Sequence, residues 1–248
     1  MLSGVITKMG VLGIIRVIFY IVGADTLRGT WVQTAVCILA LITVFMGSML
    51  AYRTDLLKKR LAYSTVSQVS YVLFGLSTLT PVGFVGALLH IVFHSIIKDA
   101  LFMQAGAIIS RSGKKYVSEL RGIGKQMPVT IWCFALCALG LIGIPPTGGF
   151  VSKWSLALGA LESNLGVLGI VGPAVLLISA LLTAGYLLPV ALNGFLPGED
   201  FDDAQAPKCE AGALMLVPIV ILSALCVLGG MFPDALKSAF EALASTVM

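Results

Sequence analysis

The chain has 248 residues, 58% of them hydrophobic and only 11% charged, with a net charge of +4 at neutral pH and a mean hydropathy of +1.01. Soluble domains carry about 25% charged residues, so the composition excludes a soluble globular enzyme and describes an integral membrane protein surrounded by lipid. The small positive excess is confined mainly to two loops, which excludes a nucleic-acid partner.

A hydrocarbon core about 30 Å thick needs about 20 apolar residues per helical span, and lipid tolerates only helices or closed barrels. Long apolar runs select helices, so the sequence predicts an all-α, polytopic membrane protein with about seven transmembrane helices. They run approximately over 1–23, 31–52, 61–79, 82–110, 128–162, 166–196 and 211–231. The first, MLSGVITKMGVLGIIRVIFYIVG, lacks the overall pattern of a signal peptide and reads as a genuine span entered abruptly, as though upstream sequence were missing. It carries Lys8, which either snorkels to a nearby cytoplasmic end or belongs to a polar route. The third opens from a basic loop as LKKRLAYSTVSQVSYVLFGL, 57–76, with Ser64, Thr65, Ser67, Gln68, Ser70 and Tyr71. These polar groups hold helices together or hold water.

In the fourth span, HIVFHSIIKDALF places His90, His94 and Lys98 at i, i+4 and i+8. On a helix they form one stripe about 12 Å long. An ionisable group at the bilayer centre costs at least about 2.5 kcal/mol and normally faces a bundle interior or a water-filled cavity. A lysine in such a place can load and release a proton, and histidine both donates and accepts one near neutral pH. A single intramembrane histidine is also explained by one interhelical hydrogen bond; alignment with Lys98 favours a polar pathway. The histidine spacing suits a metal, but no cysteine or second acidic pair is placed to complete the shell, so no metal is expected. Asp99 points about 100° away from Lys98; it is a candidate partner for a cation on another helix, and its role stays open at this point.

The fifth span contains LGLIGIPPTGGFVSKWSLALGALE. Pro145 and Pro146 remove helical hydrogen bonds, and Gly148 and Gly149 permit a turn, which predicts a helix break near mid-membrane. Lys153 follows within one or two turns. A discontinuous helix beside a charged side chain marks ion pathways in transporters; a simple kink is the alternative. The cysteines Cys37, Cys133, Cys137, Cys209 and Cys226 show no disulfide or metal spacing and read as small hydrophobes. With no Rossmann glycine pattern, cysteine ligand set or haem signature, no cofactor and no catalytic residue is expected in this chain.

Positive charge collects at Arg53, Lys58, Lys59 and Arg60 after the second span, and at Arg111, Lys114, Lys115, Arg121 and Lys125 after the fourth. The opposite side holds Arg28, and Lys237 in the tail. The positive-inside rule then makes the N-terminus cytoplasmic in a multi-pass cell (plasma) membrane protein. The acidic loop GEDFDDAQAPKCE, 198–210, falls on the cytoplasmic side, and the amphipathic tail PDALKSAFEALASTVM suits a membrane surface. The organisation is therefore a single helix at 1–30, a helical bundle at 31–197, the acidic loop at 198–210, and a last helix with its tail at 211–248.

Taken in order, TKMGVLGIIRV, LKKRLAYSTVSQVSYVLFGL, HIVFHSIIKDALF and GIPPTGGFVSKW resemble the antiporter-like membrane subunits of respiratory complex I, membrane-bound hydrogenases and Mrp-type cation/proton antiporters. Such subunits carry two inverted helical repeats, each with a broken helix. The resemblance implies that residues 31–197 are the second repeat and that 1–30 closes a first repeat supplied elsewhere. It also implies roles: Lys8 linking two half-channels, His90, His94 and Lys98 lining a hydrated central route, and Lys153 as the terminal lysine towards the exit. Asp99 stands where that family would have a small residue. The implied function is proton translocation within a multisubunit complex, coupled to NADH-quinone or related redox chemistry in partner subunits. Na+/H+ exchange by a D-type subunit of an Mrp antiporter, or a non-conducting membrane scaffold, are the alternatives.

Overall fold

In a computed structural model the described residues are 6–198 and 208–248. The first five residues of the expected first span and most of the acidic loop at 198–210 lie outside them. Helix α1 (Thr7–Ile15) continues without interruption into π-helical turns at Arg16–Val22, and Gly23, at φ +88°, ends the run. After a short α2 (Ala24–Leu27), Thr30 caps α3 (Trp31–Arg53) by accepting from Gln33 N. Helix α4 (Leu57–Ser77) begins four residues before the span expected at 61–79. Its first turn, LKKR, is too polar for a hydropathy reading to include.

Helix α5 (Pro81–Ser112) is the long central element, begun by the Thr80 cap with Pro81 in the first turn and ended by Gly113 in the left-handed region. Its 32 residues extend about 48 Å at 1.5 Å per residue, more than the hydrocarbon thickness. After α6 (Ile123–Gln126), the segment expected as one span at 128–162 forms two helices, α7 (Pro128–Ile142) and α8 (Gly148–Leu161). Helix α9 (Val167–Phe195) carries internal prolines at 173 and 189; α10 (Ala213–Met231) and the amphipathic α11 (Asp234–Val247) complete the chain.

By length and apolar composition, α3, α5, α9 and α10 are each able to cross a membrane. The reasons the others fall short are physical. Helix α4 is long enough but carries a polar stripe, and α7 and α8 are two halves separated by a break.

Helix α5 packs against α4, α7, α8, α10 and α11, while α3 and α9 enclose α4. Close approach of α5 and α8 depends on missing side chains: a Cβ on Gly86 would lie 2.8 Å from Leu156 N, and one on Gly159 would lie 2.4 Å from Gly83 Cα. Two apolar clusters result. One gathers Leu61, Ile97, Leu101, Phe134 and Leu187; the other gathers Val44, Phe74, Phe84, Leu89 and Phe93. On α5 the division falls between Phe93 and Ile97, at the turn that carries His94.

Candidate functional site

Helical periodicity puts His90, His94 and Lys98 on the face of α5 that its neighbours cover, leaving them 2%, 2% and 0% exposed. The His90 and His94 rings stack at 5.8 Å between centroids, and Tyr71 of α4 stacks on His90 at 5.5 Å. Below them, Lys98 Nζ donates to the Leu61 carbonyl at 3.0 Å and to Ser64 Oγ. Both partners lie on the first turns of α4, so one helix supplies a hydroxyl to the lysine and an aromatic ring to His90.

His90 is held from two sides. Its Nε2 meets Gln68 Oε1 at 3.1 Å, and its Nδ1 meets Ser152 Oγ at 2.9 Å. Ser152 donates its own proton to Gly149 O at 3.1 Å, so both partners present acceptors and a ring carrying two N–H groups is accommodated. Two further buried atoms in the same region, Gln68 Nε2 and His94 Nε2, have no hydrogen-bond partner. Unpaired buried polar atoms are rare enough to need an explanation, and a water-holding site is one. Ser152→Ala is expected to destabilise the fold by about 1–3 kcal/mol by orphaning His90 Nδ1; a thermal melt in detergent beside wild type checks it.

The break lies at Gly143–Thr147. Four carbonyls at the end of any helix lack intrahelical donors. Here Leu139 O receives Gly143 N and Ile144 N, at 3.0 and 3.1 Å. Leu141 O and Ile142 O instead receive Lys153 Nζ, at 2.6 and 2.9 Å. The lysine of the second half-helix thus reaches back across the break and caps the first, where a helix C-terminus favours a cation. The same Nζ stands 5.1 Å from the centroid of the Tyr71 ring, a cation–π contact. Pro145 and Pro146 lie in the non-helical segment, and Gly148 and Gly149 form the first turn of α8. Gly149 is packed so closely that a Cβ would fall 1.8 Å from Gly140 O.

Lys8 is 4% exposed on α1, and Asp99 lies near enough to act on it electrostatically. The charge of Lys8 in turn reaches His94 and Lys98, and that of Lys153 reaches His90 and Lys98. The structure therefore brings buried Lys8, His90, His94 and Lys98 and half-buried Lys153 into one electrostatic group. Ser152 and the Leu141 and Ile142 carbonyls escaped the sequence reading. Adjacency of Ser152 to Lys153 was the available signal for the first; counting the carbonyls freed by the break would have found the others.

The family described as "NADH:quinone oxidoreductase/Mrp antiporter, TM" matches residues 1–185. NADH-quinone oxidoreductase subunit N of Desulforudis audaxviator is 35% identical, over 96% of this chain and 48% of its own length. A D-type Na(+)/H(+) antiporter subunit of Alkalihalophilus pseudofirmus is 33% identical, over 92% of this chain and 44% of its own length. Among solved structures, a chain of the Mrp complex from Dietzia sp. superposes with a TM-score of 0.86 at 25% identity, covering 99% of this chain and 52% of that one. The chain spans about half the length of the curated relatives it matches. On the strength of the family match and of the fold it shares with these proteins, the chain belongs to the NADH:quinone oxidoreductase/Mrp antiporter transmembrane family.

Proposed function

We propose that this chain moves protons across a cell membrane as an antiporter-like subunit, or the C-terminal half of one, within a multisubunit membrane complex driven by quinone-linked redox chemistry elsewhere. The observation that carries the reading is the group of buried Lys8, His90, His94 and Lys98 with the half-buried Lys153, with Ser64, Gln68 and Ser152 as hydrogen-bonding neighbours. Protons would enter through a half-channel, reach Lys98 by way of water and the histidines, and leave through Lys153. Lys8 would connect this half-channel to one formed by helices outside the chain. Charging one amine raises the energy of charging the next, because Coulomb repulsion grows as the local dielectric falls. The unpartnered His94 Nε2 and Gln68 Nε2 support a hydrated central route.

Seven spans fit this reading. The halves α7 and α8 would count as one discontinuous crossing, and the loops rich in Arg and Lys would put the N-terminus in the cytoplasm. Other membrane subunits, including the source of a first repeat, would be the partners.

The test is a proteoliposome carrying the chain with its co-purifying membrane subunits and a pH dye inside. Lys98→Ala is expected to cut the driven pH response at least tenfold. An unchanged response would leave the chain as a scaffold. The relative named as part of a Na(+)/H(+) antiporter favours a second reading, cation/proton exchange. Proton movement that requires sodium in the same vesicles would select it.

A further inference from the structure

Three turns meet at the end of the bundle away from the basic loops: the one after α2, the one between α4 and α5, and the one between α8 and α9. Together they enclose a polar cavity of about 170 Å³ lined by Arg28, Gln33, Thr78, Thr80 and Asn164. Its walls are tied across helices. Gln33 accepts from Gly29 N and donates to Ser77 O, both at 2.9 Å, and Thr80 Oγ1 donates to Gly159 O at 3.1 Å. Arg28 donates to Asp25 Oδ1 at 2.7 Å and to the Leu79 carbonyl at 3.2 Å. Those bonds use two of the five N–H donors of a guanidinium, and an ion pair as exposed as this one contributes little.

A second cavity, of about 540 Å³, runs between α5, α8 and α11 and is lined mainly by Val82, Val85, Trp154, Leu158, Ala244 and Met248. The two cavities adjoin, because Pro81 and Glu162 line both. From Trp154 to Glu162 the groove follows α8 for about 12 Å at 1.5 Å per residue. Lys237 and Glu241 of α11 also line it, as an exposed pair 3.8 Å apart. Arg28 and Lys237 are the two cations that loops and tail place away from the basic-loop side, and each lines one of these cavities.

We propose that the paired cavities hold one membrane phospholipid with a primary-amine headgroup, phosphatidylethanolamine, with its phosphate against Arg28, its ammonium against Glu162 and an acyl chain along the groove between α8 and α11. The larger cavity is of ligand-binding size. A polar compartment with a cation, opening onto an apolar groove, suits a molecule with a phosphate head and a hydrocarbon tail, and a guanidinium binds phosphate through paired N–H donors. The headgroup follows from charge balance. Two cations, Arg28 and Lys237, face two carboxylates, Glu162 and Glu241, which favours a zwitterion over a lipid with net negative charge. A primary ammonium brings three N–H donors to a carboxylate; the quaternary ammonium of phosphatidylcholine brings none. The site is independent of the transport reading above.

The experiment uses the full chain with its co-purifying membrane subunits, delipidated in detergent and titrated with phosphatidylethanolamine, phosphatidylcholine or phosphatidylglycerol of the same acyl chains. Bound lipid is counted by native mass spectrometry. Wild type is expected to bind one phosphatidylethanolamine per chain at least tenfold more tightly than either other lipid. R28Q is expected to lose that one molecule, and R28K, which keeps the charge, to retain it. E162Q is expected to bind phosphatidylethanolamine and phosphatidylcholine within about threefold of each other. V85W, which fills the groove and leaves both headgroup contacts in place, is expected to lose the lipid as R28Q does, and serves if R28Q does not fold. Wild-type protein with no preference for phosphatidylethanolamine would overturn the proposal. So would an unchanged lipid count in R28Q or V85W, an E162Q variant that keeps the full preference, or loss of a co-purifying subunit from V85W in place of a lipid, which would make the groove a protein interface.

Discussion

Lys153→Ala is expected to lower proton flux at least tenfold and, in the same protein, to destabilise the fold. Two buried carbonyls, Leu141 O and Ile142 O, take their donor from this one amine. An unsatisfied buried polar group costs about 1–3 kcal/mol, and lipid supplies no replacement donor. The two effects separate in Lys153→Arg. A guanidinium has donors for both carbonyls, so thermal stability in detergent should recover towards wild type. It does not release its proton, so flux should stay low. Restored flux in the arginine variant would mean that Lys153 only caps a helix and carries no proton.

Gly149→Ala is expected to be the most destabilising single methyl in the chain's break region, because the added carbon would sit 1.8 Å from the Gly140 carbonyl oxygen, a backbone atom that cannot rotate away. Overpacking of this kind costs about 1–3 kcal/mol, occasionally more. The movement needed to relieve it would separate α7 from α8, pulling Lys153 from its two carbonyls and Ser152 from His90. Gly106→Ala on α5 provides the comparison. A Cβ there meets nothing within 4 Å, and alanine is favoured over glycine in a helix interior by about 0.5–1 kcal/mol. Melting curves of the two variants should therefore move in opposite directions; parallel shifts would contradict the packing at the break.

Helical class and membrane residence were set by composition and by runs of apolar residues, because the need to satisfy every backbone group in lipid leaves little choice of structure. The common face of His90, His94 and Lys98 was equally local, since 3.6 residues per turn aligns any i, i+4, i+8 series. The run from 128 to 162 read as one interrupted span, and the two prolines and two glycines within it named the place where α7 and α8 separate. What no local pattern contained was the choice of partner for each polar group. Tertiary packing decided that Lys98 meets Ser64, that Lys153 turns back to the end of α7, that Asp99 acts on Lys8, and that Arg60 of α4 donates to the Tyr186 carbonyl of α9. Each pairing joins positions on different helices or across the break, and it depends on how those helices are rotated and how closely they approach. Rotation and approach are fixed by the fit of whole surfaces, such as Gly86 against Leu156 or Gly159 against Gly83, and periodicity along one segment carries no record of the surface it will meet.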